Sequence, residues 1–295
     1  MGDRLRLLAL DRDPRAPQRP PRTRQEVPAR RRVGPPSGRD RRSRLGPRTP
    51  SADGTVHRGC YNRPVSLRKL SIVIPVYNEA ATVEALIGRV QTVRLNVPRE
   101  IIAVDDASTD GSGELLDKLK DDGVVVLRHE KNRGKGAAVR TGIAAATGDI
   151  ILIQDADLEY DPSDFPALLG PILDGRADAV YGSRFLGGPH RVLLFWHFAA
   201  NQFFTLLTNV LYNVNLSDMG VCYKVFRAEL LRSFTLSEDR FGFEPEVTAK
   251  ICKRHARLYE VPISYSGRTY AEGKKITWKD GLAYLRCLLR YRLAD

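Results

Sequence analysis

Three carboxylates, Asp155, Asp157 and Glu159, follow the apolar run Ile150-Ile151-Leu152-Ile153 at single-residue spacing. Four apolar residues, three of them β-branched, read as a short buried strand. In an open α/β sheet, ligands bind where strands end at their carboxyl edge. A turn just after this strand would bring Asp155, Asp157 and Glu159 around one hard cation. Such a cation would most naturally neutralise a diphosphate. A lone Asp-x-Asp is more often a solvated acidic turn, so the reading depends on what surrounds it.

Two more apolar runs end in acids. Leu70-Ser71-Ile72-Val73-Ile74-Pro75 leads into Val76-Tyr77-Asn78-Glu79, and Ile101-Ile102-Ala103-Val104 closes on Asp105-Asp106. Helical spacing follows the first through Val83, Leu86, Ile87 and Val90, within 80–93. After the second come turn residues and an N-cap ahead of Leu115, Leu116 and Leu119. Val124 to Leu127 reads as a third strand, and Asn132-Arg133-Gly134-Lys135-Gly136 places a glycine-flanked cation at the start of a helix over 137–146. Asp178 to Tyr181 supplies a fifth strand. Strands alternating with helices predict a parallel, doubly wound α/β sheet. Its acidic strand ends would gather on one edge, with Asp106 free to accept hydrogen bonds from a base or ribose. No G-x-G-x-x-G or Walker loop is present to bind bare phosphate, so a metal between acids and diphosphate is the natural solution.

The net charge of +12 is unevenly spread over the 295 residues. Residues 1–69 hold 19 Lys and Arg against 6 Asp and Glu, so the rest of the chain is close to neutral. Ten of the 18 prolines lie in this segment, with few large apolar residues, and it is expected to be a disordered tail. It reads as a dispensable extension ahead of a working domain over 70–295. A basic arm for nucleic acid is disfavoured, because no aromatic residue interleaves before Tyr61. Nucleic acid is therefore not an expected partner. Cys60, Cys222, Cys252 and Cys287 show no metal-type spacing and read as free thiols.

The motifs Pro75-x-Tyr77-Asn78-Glu79, Val104-Asp105-Asp106-x-Ser108-x-Asp110-Gly111 and Asp155-Ala156-Asp157, in this order, resemble the inverting family 2 glycosyltransferases of GT-A fold. Within that family the pattern is most similar to dolichol-phosphate mannose synthases and polyprenyl-phosphate glycosyltransferases, over about residues 70–290. The resemblance implies that Pro75, Tyr77, Glu79, Val104 and Asp106 hold the nucleoside. It implies that Asp155, Ala156, Asp157 and Glu159 hold the metal diphosphate, with Mg²⁺ or Mn²⁺ as cofactor. It implies that Arg184, after Gly182-Ser183, meets phosphate, and that Arg268 and Lys274 reach the donor phosphates from a cationic loop. Asp157, Arg184 and Arg268 form the expected catalytic set.

The acceptor half, 183–295, carries its own signals. Between Val192 and Val214 no residue is charged, and His197, Asn201, Thr205, Asn209 and Asn213 recur every four positions. That polar stripe argues for an amphipathic helix, core-packed or lying at a membrane surface, and against a spanning one. His190-Arg191 just before it is a candidate clamp for an acceptor phosphate. Asp218 to Arg227 resembles the family segment that closes over the sugar, but Gly220-Val221-Cys222 departs from its usual small-polar pattern, so sugar specificity does not carry over. From Trp278 the apolar spacing is helical, with Lys279, Arg286 and Arg290 on another face, as suits an anionic leaflet.

The expected protein is thus a metal-dependent inverting glycosyltransferase. It would move a sugar from a GDP- or UDP-linked donor to a polyprenyl phosphate. It would work at the cytoplasmic face of a membrane, as a peripheral enzyme with room for a membrane-embedded partner. A hydroxyl acceptor would need a general base, for which Asp218 or Glu244 could be conscripted. A nucleotidyltransferase should carry a glycine-rich, lysine-containing loop after the first strand, where Val76-Tyr77-Asn78-Glu79 stands instead. A non-catalytic binder working through the basic tail is the remaining alternative.

Overall fold

The apolar runs that end in acids form neighbouring strands of one sheet. The computed structural model describes residues 69–192, 194–269 and 278–294. The expected tail disorder and Lys274 lie outside the described residues. Strands β1 (Leu70–Val76), β2 (Arg99–Asp105), β3 (Val124–Arg128), β4 (Ile150–Ile153), β5 (Ala179–Ser183), β6 (Lys224–Arg227) and β7 (Leu258–Pro262) make a seven-stranded sheet in the order β3-β2-β1-β4-β6-β5-β7. All four side chains of β4 and nearly all of β1 are buried, as expected for strands covered on both faces. Helices α1 (Val83–Thr92), α2 (Ser112–Leu119), α3 (Lys135–Ala145) and α4 (Phe165–Leu173) follow the strands that precede them.

The sheet is not wholly parallel. Strand β6 runs antiparallel to both β4 and β5, while every other pairing is parallel. Its sequence, Lys-Val-Phe-Arg, begins and ends in cations yet is buried throughout. Both cations are satisfied locally. Lys224 donates to the carbonyls of Met219 and Val221, and its ammonium lies 4.3 Å from the centroid of the Tyr181 ring. Arg227 donates to the Ala177 carbonyl at 3.2 Å. Burial lowers the Lys224 ammonium to about 8, so it loses its charge more readily than a surface lysine.

At the opposite end of the sheet, Glu100 accepts from Lys69, Ser71 and Thr147 at 2.5–2.7 Å. Burial alone would raise its carboxyl, but these donors outweigh it and hold the group down at about 2. A depressed carboxylate stabilises the fold above its ordinary value near 4.5, and that contribution is lost as pH falls toward 2. Chemical denaturation between pH 5 and pH 2 should therefore show wild-type stability falling more steeply than that of Glu100→Gln.

Three helices complete the acceptor half: α5 (Phe195–Tyr212), α7 (Phe243–Lys253) and α8 (Trp278–Leu293), with the single-turn α6 (Ala228–Arg232) ahead of α7. Helix α5 has the expected amphipathic period but is turned inside out. Its polar stripe faces the protein: Asn201 donates to Asp218, the Thr205 hydroxyl accepts from the Met219 amide, and Asn209 bonds both backbone groups of Leu216. Its large apolar side chains face outward, with Phe195 64%, Trp196 79%, Phe203 57%, Leu206 63% and Val210 72% exposed. On α8, Leu282 and Leu289 are also exposed. No helix among the described residues is long and apolar enough to cross a membrane.

Candidate active site

The carboxyl ends of β1, β2 and β4 converge as expected. The loops after β1 and β2 are laced together: the Asn78 amide donates to Ser108, the Ala80 amide to Asp110, the Glu79 amide to Ser112, and the Thr109 amide to the Asn78 side chain. Asn78 and Ala107 adopt positive φ, the sharp reversals this interlock requires. Ser108, Asp110 and Gly111 thus set the geometry of the strand ends. Asp105 does the same, pairing with Arg128 and accepting from the Ser108 amide.

A cavity of about 890 Å³ opens above these strand ends. Of the expected residues, Pro75, Tyr77, Glu79, Asp106, Asp155, Ala156, Asp157, Glu159, Arg184 and Arg268 line it. Val104 and Arg191 do not. Val104 is fully buried in the sheet. Arg191 is spent on the chain after β7, where it donates to the Gly267 carbonyl and its amide donates to Tyr265. Here Arg191 helps to tie down that loop.

The Asp106 carboxylate, which borders the cavity, accepts from the amides of Arg133 (2.9 Å) and Gly134 (2.7 Å) and pairs with His129 at 2.6 Å. It holds the glycine-rich loop that starts α3. That loop is pressed against residues 238–240, and the Ala137 amide donates to the Asp239 carbonyl at 3.0 Å. A Cβ on Gly136 would stand 2.3 Å from the Glu238 carbonyl oxygen, which is why glycine is needed there.

The acids of β4 divide between two cations. Asp155 turns to Lys135, at 2.9 and 3.1 Å, and Lys135 also reaches Glu244 at 3.1 Å. Asp157 and Glu159 turn to Arg268, at 2.7 and 3.3 Å, and the same guanidinium meets Glu79 at 3.1 Å. Asp155, Asp157 and Glu159 are thus neighbours but not one ready-made ligand set, and no such set occurs among the described residues. Burial, then the charges of Asp155 and Glu159, push the Asp157 carboxyl up to about 7 despite Arg268. A cluster so short of positive charge, built from hard carboxylate oxygens, fits Mg²⁺ or Mn²⁺.

Arg184 stands across the cavity, fixed by a two-pronged pair with Asp218, 2.7 Å at both nitrogens, and by the Tyr265 ring 5.1 Å from its centre. Asp218 is fully buried and committed to this pair. It cannot serve as the general base considered for a hydroxyl acceptor. Cutting this pair leaves a buried guanidinium without a counter-charge, so Asp218→Ala should lose about 3–5 kcal/mol in chemical denaturation.

Lys135, Tyr265 and Cys222 are among the cavity residues outside the expected set, and Glu244, considered only as a base, lines it too. Lys135 was visible as a glycine-flanked cation at a helix start, with nothing in the sequence to name its partners. Tyr265 donates to Glu159 at 2.8 Å and stacks near Tyr160. Glu244 sits in the first turn of α7 beside Tyr284 of α8, at 3.5 Å. Cys222, where the family pattern departs, lines the cavity. Burial and Asp155 push its thiol well up, so it stays protonated. On the α5 and α8 side the wall carries the apolar Phe204, Phe203, Ala200, Trp196, Leu282 and Leu285, with His197, Asn201 and Asp280 among them.

A mixed, mostly parallel sheet between helices, with acidic strand ends under one cavity, is the GT-A arrangement. The chain belongs to glycosyl transferase family 2, whose sequence pattern matches residues 71–234. It is 29% identical over 213 residues to the undecaprenyl-phosphate 4-deoxy-4-formamido-L-arabinose transferases of Salmonella choleraesuis and Aeromonas hydrophila. That match covers 70% of this chain and 63% of each relative, so the chain spans less than two thirds of their length. The fold is shared with glucosyl-3-phosphoglycerate synthase from Mycobacterium tuberculosis, solved with Mn²⁺, UDP and glucosyl-3-phosphoglycerate. That likeness has a TM-score of 0.63 at 21% identity, over 82% of this chain and 88% of the other.

Proposed function

We propose that this protein transfers a sugar from a nucleotide-sugar to a polyprenyl phosphate, inverting the anomeric configuration. One observation carries the reading: a single cavity runs from the acidic strand ends to the apolar wall of α5 and α8. A charged donor and a lipid-borne acceptor can meet there without crossing bulk water. The names of the undecaprenyl-phosphate relatives support the acceptor class, and the UDP and Mn²⁺ of the structural neighbour support the donor class.

Tyr77 and Glu79 line the cavity and would hold the nucleoside. Asp157 and Glu159 would hold the divalent ion, which when bound supplies positive charge against the diphosphate. Asp155 is fixed by Lys135 and, with Glu244, presents carboxylate oxygens and an ammonium toward a glycosyl group. Arg184, held in place by Asp218, presents its fixed positive charge to the acceptor phosphate. That phosphate needs no strong base, because its second pKa of about 6 leaves it largely ionised near neutrality. The commitment of Asp218 to Arg184 therefore costs this reaction nothing, whereas a hydroxyl acceptor would lose one of its candidate bases.

The outward apolar face of α5 supports a peripheral membrane contact. It is continuous with the cavity wall through Trp196 and Phe203, and on α8 Arg286 and Arg290 are exposed, each paired with Glu238. In this position the polyprenyl chain stays in the bilayer while its phosphate enters the cavity. A position at the cytoplasmic face belongs to this reading, and a membrane-embedded partner could share the same surface. Transfer of radiolabel from a panel of GDP- and UDP-sugars to a short polyprenyl phosphate, with Mn²⁺, tests the reading. Organic-extractable label from one donor is expected. Folded protein that binds no nucleotide-sugar would rule it out.

A further inference from the structure

The guanidinium of Arg268 lies inside the carboxylate cluster. Nε faces Glu159 at 3.3 Å, one terminal nitrogen meets Glu79 at 3.1 Å, and the other meets Glu79 at 3.2 Å and Asp157 at 2.7 Å. The Arg268 amide donates to Glu159 at 2.9 Å, which anchors the backbone beside the same acids. All three guanidinium nitrogens are thus engaged by acids. Carboxylates gathered in a largely buried pocket need a cation, and here the chain supplies its own.

Resting on the reading of Asp157 and Glu159 as metal ligands, we infer that Arg268 is a tethered counter-ion that competes with the divalent ion for this site. The ion and the guanidinium need the same oxygens of Asp157 and Glu159, so one enters as the other leaves. A leaving guanidinium must find another anion, because an unpaired one in this pocket is costly. A diphosphate is such an anion, and a planar fork suits its oxygens. Metal and nucleoside diphosphate therefore bind cooperatively. The metal frees Arg268 for the diphosphate, and the diphosphate draws Arg268 off the metal's ligands. The coupling is reciprocal, so each tightens the other by the same factor. Metal alone has to displace the guanidinium without that compensation and binds weakly. The arrangement keeps a cation among these acids between turnovers without holding a metal ion.

Mn²⁺ binding to the whole protein, followed by the electron paramagnetic resonance of free Mn²⁺, tests this without any turnover. Wild type, Arg268→Ala and the neutral, polar Arg268→Gln are titrated alone and with saturating UDP or GDP. Circular dichroism confirms that each variant is folded. Wild type is expected to bind Mn²⁺ at least about tenfold more tightly with the better nucleotide than without it. Both variants are expected to bind Mn²⁺ alone at least about tenfold more tightly than wild type, and to lose most of the coupling. If wild type binds Mn²⁺ with nucleotide but neither folded variant binds Mn²⁺ alone more tightly, the competition is wrong and the metal site stands. If no form binds Mn²⁺ even with bound nucleotide, the metal reading fails and takes this inference with it.

Discussion

Asp157→Asn is expected to lower kcat/KM for sugar transfer by at least about a thousandfold, the scale set by removing one preorganised charge at a reacting phosphate. The carboxylate sits where Glu79, Glu159 and Arg268 converge, so no neighbour can replace it without giving up its own partner. The same substitution should leave the fold intact. A carboxyl raised to about 7 contributes stability that is complete below its ordinary value of 3.8 and is lost as pH rises through 7. Above pH 7 the charged Asp157 is held against the preference of its surroundings, and asparagine relieves that. Thermal unfolding should show wild type losing stability between pH 5 and pH 8 while Asp157→Asn declines less. An active variant, or an inactive one that is unfolded, would contradict the account of this position.

The second large effect is expected on α5. Phe203→Ser, Leu206→Ser and Val210→Ser together remove three exposed apolar side chains without touching the inward polar stripe. If the face is buried in lipid, each contributes roughly 1–2 kcal/mol, so partitioning onto vesicles should fall by about a hundredfold or more. Vesicle sedimentation measures this directly. Transfer to a long polyprenyl phosphate in vesicles should fall in step, while nucleotide binding stays unchanged. Loss of nucleotide binding would mean that the face packs within the protein's own assembly.

These two positions differ in how legible they were from the sequence. Asp157 was readable because an apolar strand runs straight into it, and the same pattern exposed the ends of β1 and β2. Strand β6 was hidden, since Lys224 and Arg227 look like loop cations until backbone carbonyls and the Tyr181 ring are brought to them by the fold. Helix α5 was legible in its period but not in its orientation. A four-residue polar repeat gives two faces, and only the unpaired backbone groups of Leu216 and Met219 and the carboxylate of Asp218 decide that the polar one turns inward.

Roles that depend on a distant partner were the least readable. Asp106, Arg191 and Asp218 have the chemistry of binding residues, but in the fold each is engaged by a neighbour: the loop before α3, the Gly267 carbonyl and Arg184. Asp155 and Asp157 are two residues apart and go to different cations, because Lys135 stands on one side of the strand end and Arg268 on the other. Spacing sets which acids share an edge. It does not say which cation each will meet.

The central claim is that the nucleophile is a lipid phosphate. The most direct measurement compares a polyprenyl phosphate with the polyprenol of the same chain length, using one radiolabelled nucleotide-sugar and Mn²⁺ in detergent. The account predicts label on the phosphate, lost in Asp157→Asn, and no more than about a hundredth as much on the alcohol, which lacks an ionised oxygen and cannot use Asp218 as a base. Equal or greater transfer to the alcohol, or to a sugar hydroxyl with none to the phosphate, would contradict it.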